Sequence, residues 1–484
     1  MKRVLTAVVF LIALLDGASA GTAPGRGGSV EGQVDRYLQS EMRERRIPGL
    51  QLAVVKGGKI VMLKSFGLAE LPHSLPVTKR SVFSINSATK SFTGVAILQL
   101  VEQGKLDLNA PVSRYLSDLP GPWQGVTITQ LLNHTSGIPD IISQKTSRLA
   151  TGDSPDAAWR QVQTLPMDFA PGERFSYNQT NYLLLGKIID QLSGQPFAQF
   201  IQQRQFDAAG MRQTDYGDVH DVIPDKAPSY RFDADGKTLK QVTDDFPAML
   251  RTGAGINSTA QDLAHWIIAL QKGALVSPAG LAQMWQRGRF NDGKPAPWSL
   301  GWPAIRDTEY RAVAGIGGMR SAFYVYPEHD LAVVILTNLA GSSPEQMIDI
   351  VASFFLPELR SVSGGYATYR LREQANVSGF ERLDEKLAQL KKQSGIAQPS
   401  EDELNGWGYR LLGAGQKAQA VAVMSLATRL YPDSFNTYDS LAEVYEAAGE
   451  RDLARQNYKR SLALNPLNTH AAERLRVLDQ ASAQ

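Results

Sequence analysis

Apolar residues gather as strands near the two ends of the first 356 positions and as helices between them. Residues 50–55 and 59–64 are apolar runs on either side of Gly57-Gly58, the pattern of two strands joined by a hairpin. Residues 323–326 and 331–336 make a second apolar pair, with Pro327-Glu328-His329-Asp330 as the turn. Ahead of the first pair, residues 30–46 read as a polar amphipathic helix that ends at Ile47-Pro48. Between the pairs the period changes. Phe92, Val95, Ala96, Leu100 and Val101 form a helical stripe that Gly104 stops. Leu183, Leu184, Leu185, Ile188, Ile189 and Leu192 form another, closed by Gly194. Strands at both ends with helices between predict a mixed sheet carrying an inserted helical subdomain, within the α+β class.

The pattern shifts again after Leu356. Residues 357–378 are polar and contain Gly and Ser, so they read as a linker between a main domain at 30–356 and a tail at 379–484. In the tail Trp407-Gly408, Leu411, Gly415, Ala420 and Pro432 recur as Leu441-Ala442, Tyr445, Gly449, Ala454 and Pro466, each 34 positions on (449 − 415). That is the tetratricopeptide period, in which small residues let two helices pack closely and Pro marks the end of each unit. Two repeats are visible, so they need a cap, either a helix at 380–392 or the main domain. An all-α tail of this type is a candidate site for a protein partner.

Composition narrows the compartment and the partners. Met1-Lys2-Arg3 is basic, residues 4–15 are apolar but short for a bilayer span, and Ala18-Ser19-Ala20 is a small-x-small cleavage site. Residues 1–20 therefore read as a signal peptide cleaved after Ala20, which places the mature chain in the periplasm or outside the cell with no membrane span. Loss of Lys2, Arg3 and Asp16 moves the net charge from +2 to +1, which argues against nucleic acid as a partner. The chain has no Cys, so neither a disulfide framework nor a lipid-bearing cysteine is available.

Three segments carry candidate chemistry. Ser87-Ala88-Thr89-Lys90 opens the first helical stripe and is the only Ser-x-x-Lys in the chain. Positions three apart share a helix face, so Lys90 can lie beside the Ser87 hydroxyl, and the helix start aims free N–H groups at a developing oxyanion. An ordinary N-capping serine has the same local pattern. Tyr177 sits on a loop just before the second stripe, where a phenol can act as a base beside a lysine or simply pack. Ala314-Gly315-Ile316-Gly317-Gly318-Met319 precedes the strand at 323 and offers either close backbone approach to a ligand or a plain bulge. The six His show no metal-ligand spacing, and His134 reads as structural. No Gly-x-Ser-x-Gly elbow and no phosphate-binding glycine loop occur.

Together with Ile47-Pro48-Gly49, Phe83-Ser84-Ile85-Asn86-Ser87-Ala88-Thr89-Lys90-Ser91-Phe92-Thr93, Glu102-Gln103-Gly104-Lys105-Leu106, Leu131-Leu132-Asn133-His134-Thr135-Ser136-Gly137-Ile138-Pro139 and Gly253-Ala254-Gly255-Ile256-Asn257-Ser258-Thr259, these segments resemble the serine β-lactamase and penicillin-binding-protein superfamily. The likeness is to its class C β-lactamase and D-alanyl-D-alanine carboxypeptidase branch and covers roughly residues 30–356. It implies an antiparallel sheet flanked by helices. It implies Ser87 as the acylated nucleophile, Lys90 and Tyr177 as a coupled base, and the N–H groups of Ser87 and Gly318 as the oxyanion hole, with no cofactor and no metal. Gln179, Gly317 and Arg320 are its substrate-binding candidates. Two positions depart from the family pattern. Gln179 replaces the Asn of Tyr-x-Asn, and Gly315 replaces the Lys or His of the third motif, with Arg320 as a candidate substitute cation. The resemblance thus implies an exported serine hydrolase acting on an ester, amide, β-lactam or D-amino-acid peptide, with short neutral esters favoured over penicillins. The competing class is a non-catalytic scaffold or peptide-binding protein that works through its tail.

Overall fold

The computed structural model describes residues 29–143, 148–149, 154–233, 236–306 and 310–480, so the expected signal peptide at 1–20 lies outside the described residues. Its centre is a seven-stranded sheet. The strands run Ala304–Arg306, Ala312–Gly317, Ser321–Tyr326, Leu331–Thr337, Gly49–Lys56, Lys59–Glu70 and Leu75–Pro76 across it. Both predicted hairpins are present, and the two ends of the domain meet where Ala53 pairs with Val334 and Val54 with Val333. All six pairings are antiparallel, which corrects the mixed sheet read from the strand pattern. The reason is topological. The neighbours are joined by short reversals or brought together by the chain returning to its own start, and neither needs a parallel crossover.

Both faces of the sheet are covered, so its central strands are apolar without alternation. From Leu331–Thr337, Ala332, Val334 and Leu336 enter one core with Ala53, Val55, Phe323, Phe92 and Trp266. Leu331, Val333 and Ile335 enter the other with Leu50, Val54, Tyr324 and the C-terminal helices. The first core holds the helix Thr89–Glu102, whose Phe92 ring stacks on Trp266 at 3.8 Å, and beyond it the inserted helices, including Gln179–Ser193. That helix stops at Gly194 in the left-handed conformation, as the sequence indicates.

The segment at 357–378 is not a linker. After a short 3-10 turn at Pro357–Ser361 it forms a helix, Gly364–Ser378, that buries Tyr366, Ala367, Leu371 and Ala375 against the second core. Its Arg372 is also buried and donates to Glu41 on the helix Val30–Arg45. A stripe of only four apolar residues, closed by a paired arginine, looks polar in composition. The tail continues as helices Leu383–Ser394, Glu401–Gly413, Lys417–Leu430, Phe435–Ala448, Arg451–Leu464 and Thr469–Gln480. Glu401, Phe435 and Thr469 start alternate helices 34 positions apart (435 − 401). Small residues permit the contacts within this region, since a side chain at Gly408 would meet Met424 at 2.5 Å. The tail also shares a core with the sheet, because Leu404, Trp407 and Val423 belong to the cluster that contains Leu50 and Tyr324.

Candidate active site

Ser87 sits in a 3-10 turn, Asn86–Ala88, that runs directly into the helix Thr89–Glu102. The turn is clamped from both sides. Ile85 N–H donates to Ile256 O at 3.0 Å, and Ser321 Oγ donates to Ile85 O at 2.7 Å. The end of the strand Ala312–Gly317 presses against it. A Cβ at Gly317 would lie 1.9 Å from Ile85 O and 2.8 Å from Ser87 N, so only glycine fits there. Gly317 is thus a packing position behind the nucleophile. The outer strand Ala304–Arg306 pairs only with Ala312 and Val313, so among the described residues the Gly315–Gly317 end has ladder partners on one side alone, at Ser321–Phe323. Gly318 turns away at φ +56° and faces the same cavity as Ser87.

Lys90 follows on the same helix and is buried. Its Nζ donates to Gln179 Oε1 and to Gly253 O, both at 2.9 Å. It lies 4.7 Å from the centroid of the Tyr177 ring and 5.0 Å from that of Tyr182. Ser87, Lys90 and Tyr177, far apart in sequence, are therefore brought to one place. The lysine meets Tyr177 at the ring face, and the Tyr177 hydroxyl is buried without a hydrogen-bond partner among the described residues. The segment that supplies Gly253 O wraps the nucleophile helix. Thr93 Oγ1 donates to Thr252 O at 2.7 Å, and Thr89 Oγ1 accepts from Gly255 and Ile256 N–H at 3.2 Å. A side chain at Gly253 would meet Gln179 Oε1 at 2.7 Å, which explains the glycine.

Tyr177 is fixed through its neighbours. Asn178 caps the helix Gln179–Ser193 by accepting from Asn181 N–H at 3.0 Å, and its own N–H donates to His134 Nδ1 at 3.1 Å. The His134 ring packs on Tyr177 with centroids 4.6 Å apart. Burial, reinforced by the Lys90 charge, holds the His134 pKa well below its usual value. A neutral ring that accepts at Nδ1 is a positioning element, in line with its structural reading.

The cavity at Ser87 has a volume of about 1240 Å³, and its walls include Asn86, Tyr177, Gln179 and Gly318. It also contains residues that the sequence reading missed. Asp140 Oδ1 accepts from the N–H groups of Gln179 at 3.0 Å and Ile142 at 3.1 Å, and burial raises its pKa. It directly follows Ile138-Pro139, but nothing in that pattern marks a carboxylate for the cavity. Asp244, Asp245 and Arg231 come from the segment after the inserted helices, where the sequence shows no periodicity.

Arg320 is not the substrate-facing cation expected of it. It is 3 % exposed, is not among the cavity residues, and its Nη2 donates to Asp244 Oδ1 and to Asn86 Oδ1. Gly315 offers no room for the missing cation either, since a Cβ there would lie 2.2 Å from Phe323 Cζ. Among the described residues no group of His, Cys, Asp or Glu is arranged to hold a metal ion.

Comparison with known proteins agrees with this geometry. The chain is 26% identical over 361 residues to Protein flp of Staphylococcus aureus (strain MW2), covering 71% of this chain and 70% of that protein. The fold matches the octameric penicillin-binding protein homologue from Pyrococcus abyssi with a TM-score of 0.59 at 27% identity, over 71% of this chain and 81% of that one. It also matches EstCE1, a hydrolase with promiscuous acyltransferase activity, at 0.58 and 21% identity, over 67% and 98%, a likeness of fold alone. The model of the family described as Beta-lactamase matches residues 34–354, and the chain belongs to that family of serine hydrolases.

Proposed function

We propose that this protein is an exported serine hydrolase that cleaves neutral esters or amides through an acyl-enzyme on Ser87. The observation that carries the reading is the setting of Lys90. Gln179 Oε1 and Gly253 O each accept from its Nζ at 2.9 Å, which leaves the third position on that nitrogen for the Ser87 proton three residues earlier in the chain. Tyr177, against the lysine with an unpartnered hydroxyl, shares that proton. Ser87 Oγ attacks the carbonyl carbon as its proton moves to the pair. The N–H groups of Ser87 and Gly318 meet the oxyanion. The C–O or C–N bond breaks as the proton passes to the leaving group. Water, deprotonated by the same pair, then attacks the acyl carbon and frees Ser87.

The preference for neutral substrates rests on the cavity wall, where Asp140 and Asp245 line the same cavity as Ser87 and Arg320 is tied to Asp244. Export rests on residues 1–20, and a protein partner for the tail rests on its 34-residue repeat. A fluorophosphonate probe followed by mass mapping tests the reaction class. The label is expected on Ser87 and is expected to vanish in Ser87→Ala with the melting temperature unchanged. Persistent labelling in that variant, or labelling of another residue, would falsify the reading.

A further inference from the structure

The two backbone donors proposed for the oxyanion hole belong to separate elements. Ser87 lies in the 3-10 turn and Gly318 just beyond the strand Ala312–Gly317. One side chain bridges them. Arg320 is two residues after Gly318. Its backbone is fixed by Arg320 N–H donating to Gly317 O at 3.1 Å and by Thr337 N–H donating to Arg320 O at 2.8 Å. Its Nη2 reaches the Oδ1 of Asn86, the residue immediately before Ser87, at 2.9 Å. The Asn86 backbone is left-handed at φ +48°, a conformation that asparagine adopts more readily than other residues with a side chain, and its amide is held at both ends. The other end of its amide is occupied as well, with Nδ2 donating to Ser84 O at 3.3 Å. Gly318 lies over the pair, since a Cβ there would be 2.9 Å from Asn86 Nδ2 and 3.3 Å from Arg320 Nε.

Asp244 completes the arrangement. It accepts from Arg320 Nη2 and receives Ser229 Oγ at 3.5 Å. Arg320 Nε and Nη1 have no partner among the described residues, so Asn86 and Asp244 are the whole anchorage of this guanidinium. Its charge is matched by the carboxylate, and the side chain is buried away from the cavity.

Resting on the acyl-enzyme reading above, we infer that Arg320, held by Asp244, is a positioning residue that locks the left-handed Asn86 and thereby sets Ser87 against Gly318 in the oxyanion hole. Such a residue acts on the transition state through another group, so its loss lowers kcat and leaves KM nearly unmoved.

The test uses the full chain and a short neutral nitrophenyl ester. Removing Arg320 alone would strand the Asp244 carboxylate, so the charges are removed together as Arg320→Gln with Asp244→Asn. The pair of changes is expected to lower kcat by about 10-fold or more, with KM within about twofold. The same pair is then added to Asn86→Gly, which takes up φ > 0 without a side chain to hold. Against that parent the loss is expected to shrink to less than about threefold. An equal loss in both backgrounds overturns the inference, because Arg320 would then act on the fold and not through Asn86. Asn86→Ala cuts the link from the other side while keeping the Arg320–Asp244 pair. It is expected to show the same fall in kcat, and full activity in a folded Asn86→Ala protein also overturns the inference. A rise in KM confined to carboxylate-bearing substrates overturns it in favour of direct substrate binding. Probe labelling of the wild-type Ser87 runs alongside. If the wild type labels and the variants behave as wild type, only the inference fails; if the wild type does not label, the acyl-enzyme reading fails and the inference with it.

Discussion

Gln179 Oε1 accepts a hydrogen bond from Lys90 Nζ at 2.9 Å, so the residue that replaces the family's asparagine has its oxygen committed to the lysine. Its amide nitrogen is what remains for a ligand in the cavity. A position expected to serve substrate is thus also a support for Lys90.

Two variants at Gln179 should separate these roles. Gln179→Leu keeps the bulk and removes the acceptor, and acylation is expected to fall about tenfold or more, the scale of a hydrogen bond to a charged group. Gln179→Glu places a carboxylate against Lys90 and favours its ammonium form. The acid limb of the kcat/KM profile should then move to higher pH. An unshifted limb in Gln179→Glu would show that Lys90 does not take the proton.

Lys90 and Tyr177 should behave as one unit, because the Lys90 Nζ lies 4.7 Å from the tyrosine ring centroid. Lys90→Ala and Tyr177→Phe are each expected to slow acylation by about 10²-fold. The double variant should lose less than the product of the two. Single-turnover labelling measures all three. Near-normal acylation in Tyr177→Phe reduces Tyr177 to a packing ring.

The meeting of Ser87, Lys90 and Tyr177 was legible through the family resemblance, since the local pattern at each helix start fits an N-cap or a packing ring equally well. The two central hairpins of the sheet were legible because their strands are apolar and end at glycine or turn residues. What escaped were roles fixed by distant partners. Arg320 reads as a free cation until Asp244 and Asn86, 76 and 234 positions away, are seen beside it. The helix Gly364–Ser378 reads as a linker until Glu41, 331 positions away, is seen to pair with its arginine.

That helix changes what truncation should do. A chain ending at Leu356 would lose Arg372 and leave Glu41 buried with Arg45, whose Nε lies 2.7 Å from it, as its remaining close partner. It would also uncover the second core. Arg372→Met alone is expected to cost about 3–5 kcal/mol, the scale for breaking a buried ion pair. The truncated chain is expected to be unfolded or insoluble. A soluble, cooperatively melting 356-residue chain with wild-type esterase activity would show that the two regions are separable after all.

The same junction should make stability depend on pH. Burial, opposed by Arg45 and Arg410 and helped by Glu41, pushes the Glu403 pKa up to about 7. A carboxyl raised in the folded state stabilises fully below its unfolded pKa, and that contribution is lost as pH rises through about 7. Glu41 has the opposite sign. Burial would raise it, but Arg45, Arg372 and Arg410 outweigh burial and hold it at about 2, so its contribution is lost only in acid. His134, depressed by burial, likewise loses its contribution as pH falls below the usual histidine range. Glu403→Gln should therefore match wild type near pH 4 and exceed it near pH 8 in denaturant midpoints. Parallel curves for the two proteins would remove Glu403 from the account.

Substrate choice follows from what a carboxylate would meet beside Ser87. In the family's third motif a cation occupies position 315, but here the Phe323 ring fills that space. Arg320 is held by Asp244, while Asp140 and Asp245 line the wall and Arg231, the one arginine on it among the described residues, is exposed. An anionic substrate would thus lose a charge-assisted bond and gain repulsion. Short neutral acyl esters are expected to show kcat/KM at least about tenfold above penicillins and cephalosporins, the scale of one such bond. Gly315→Lys should not restore β-lactam turnover. It should destabilise the fold by about 1–3 kcal/mol through overpacking against Phe323. Both substrate classes are measured on one wild-type preparation, with Arg231→Ala as the control. Faster hydrolysis of a carboxylate-bearing β-lactam, lost in Arg231→Ala, would show that Arg231 supplies the cation and that the neutral preference is wrong.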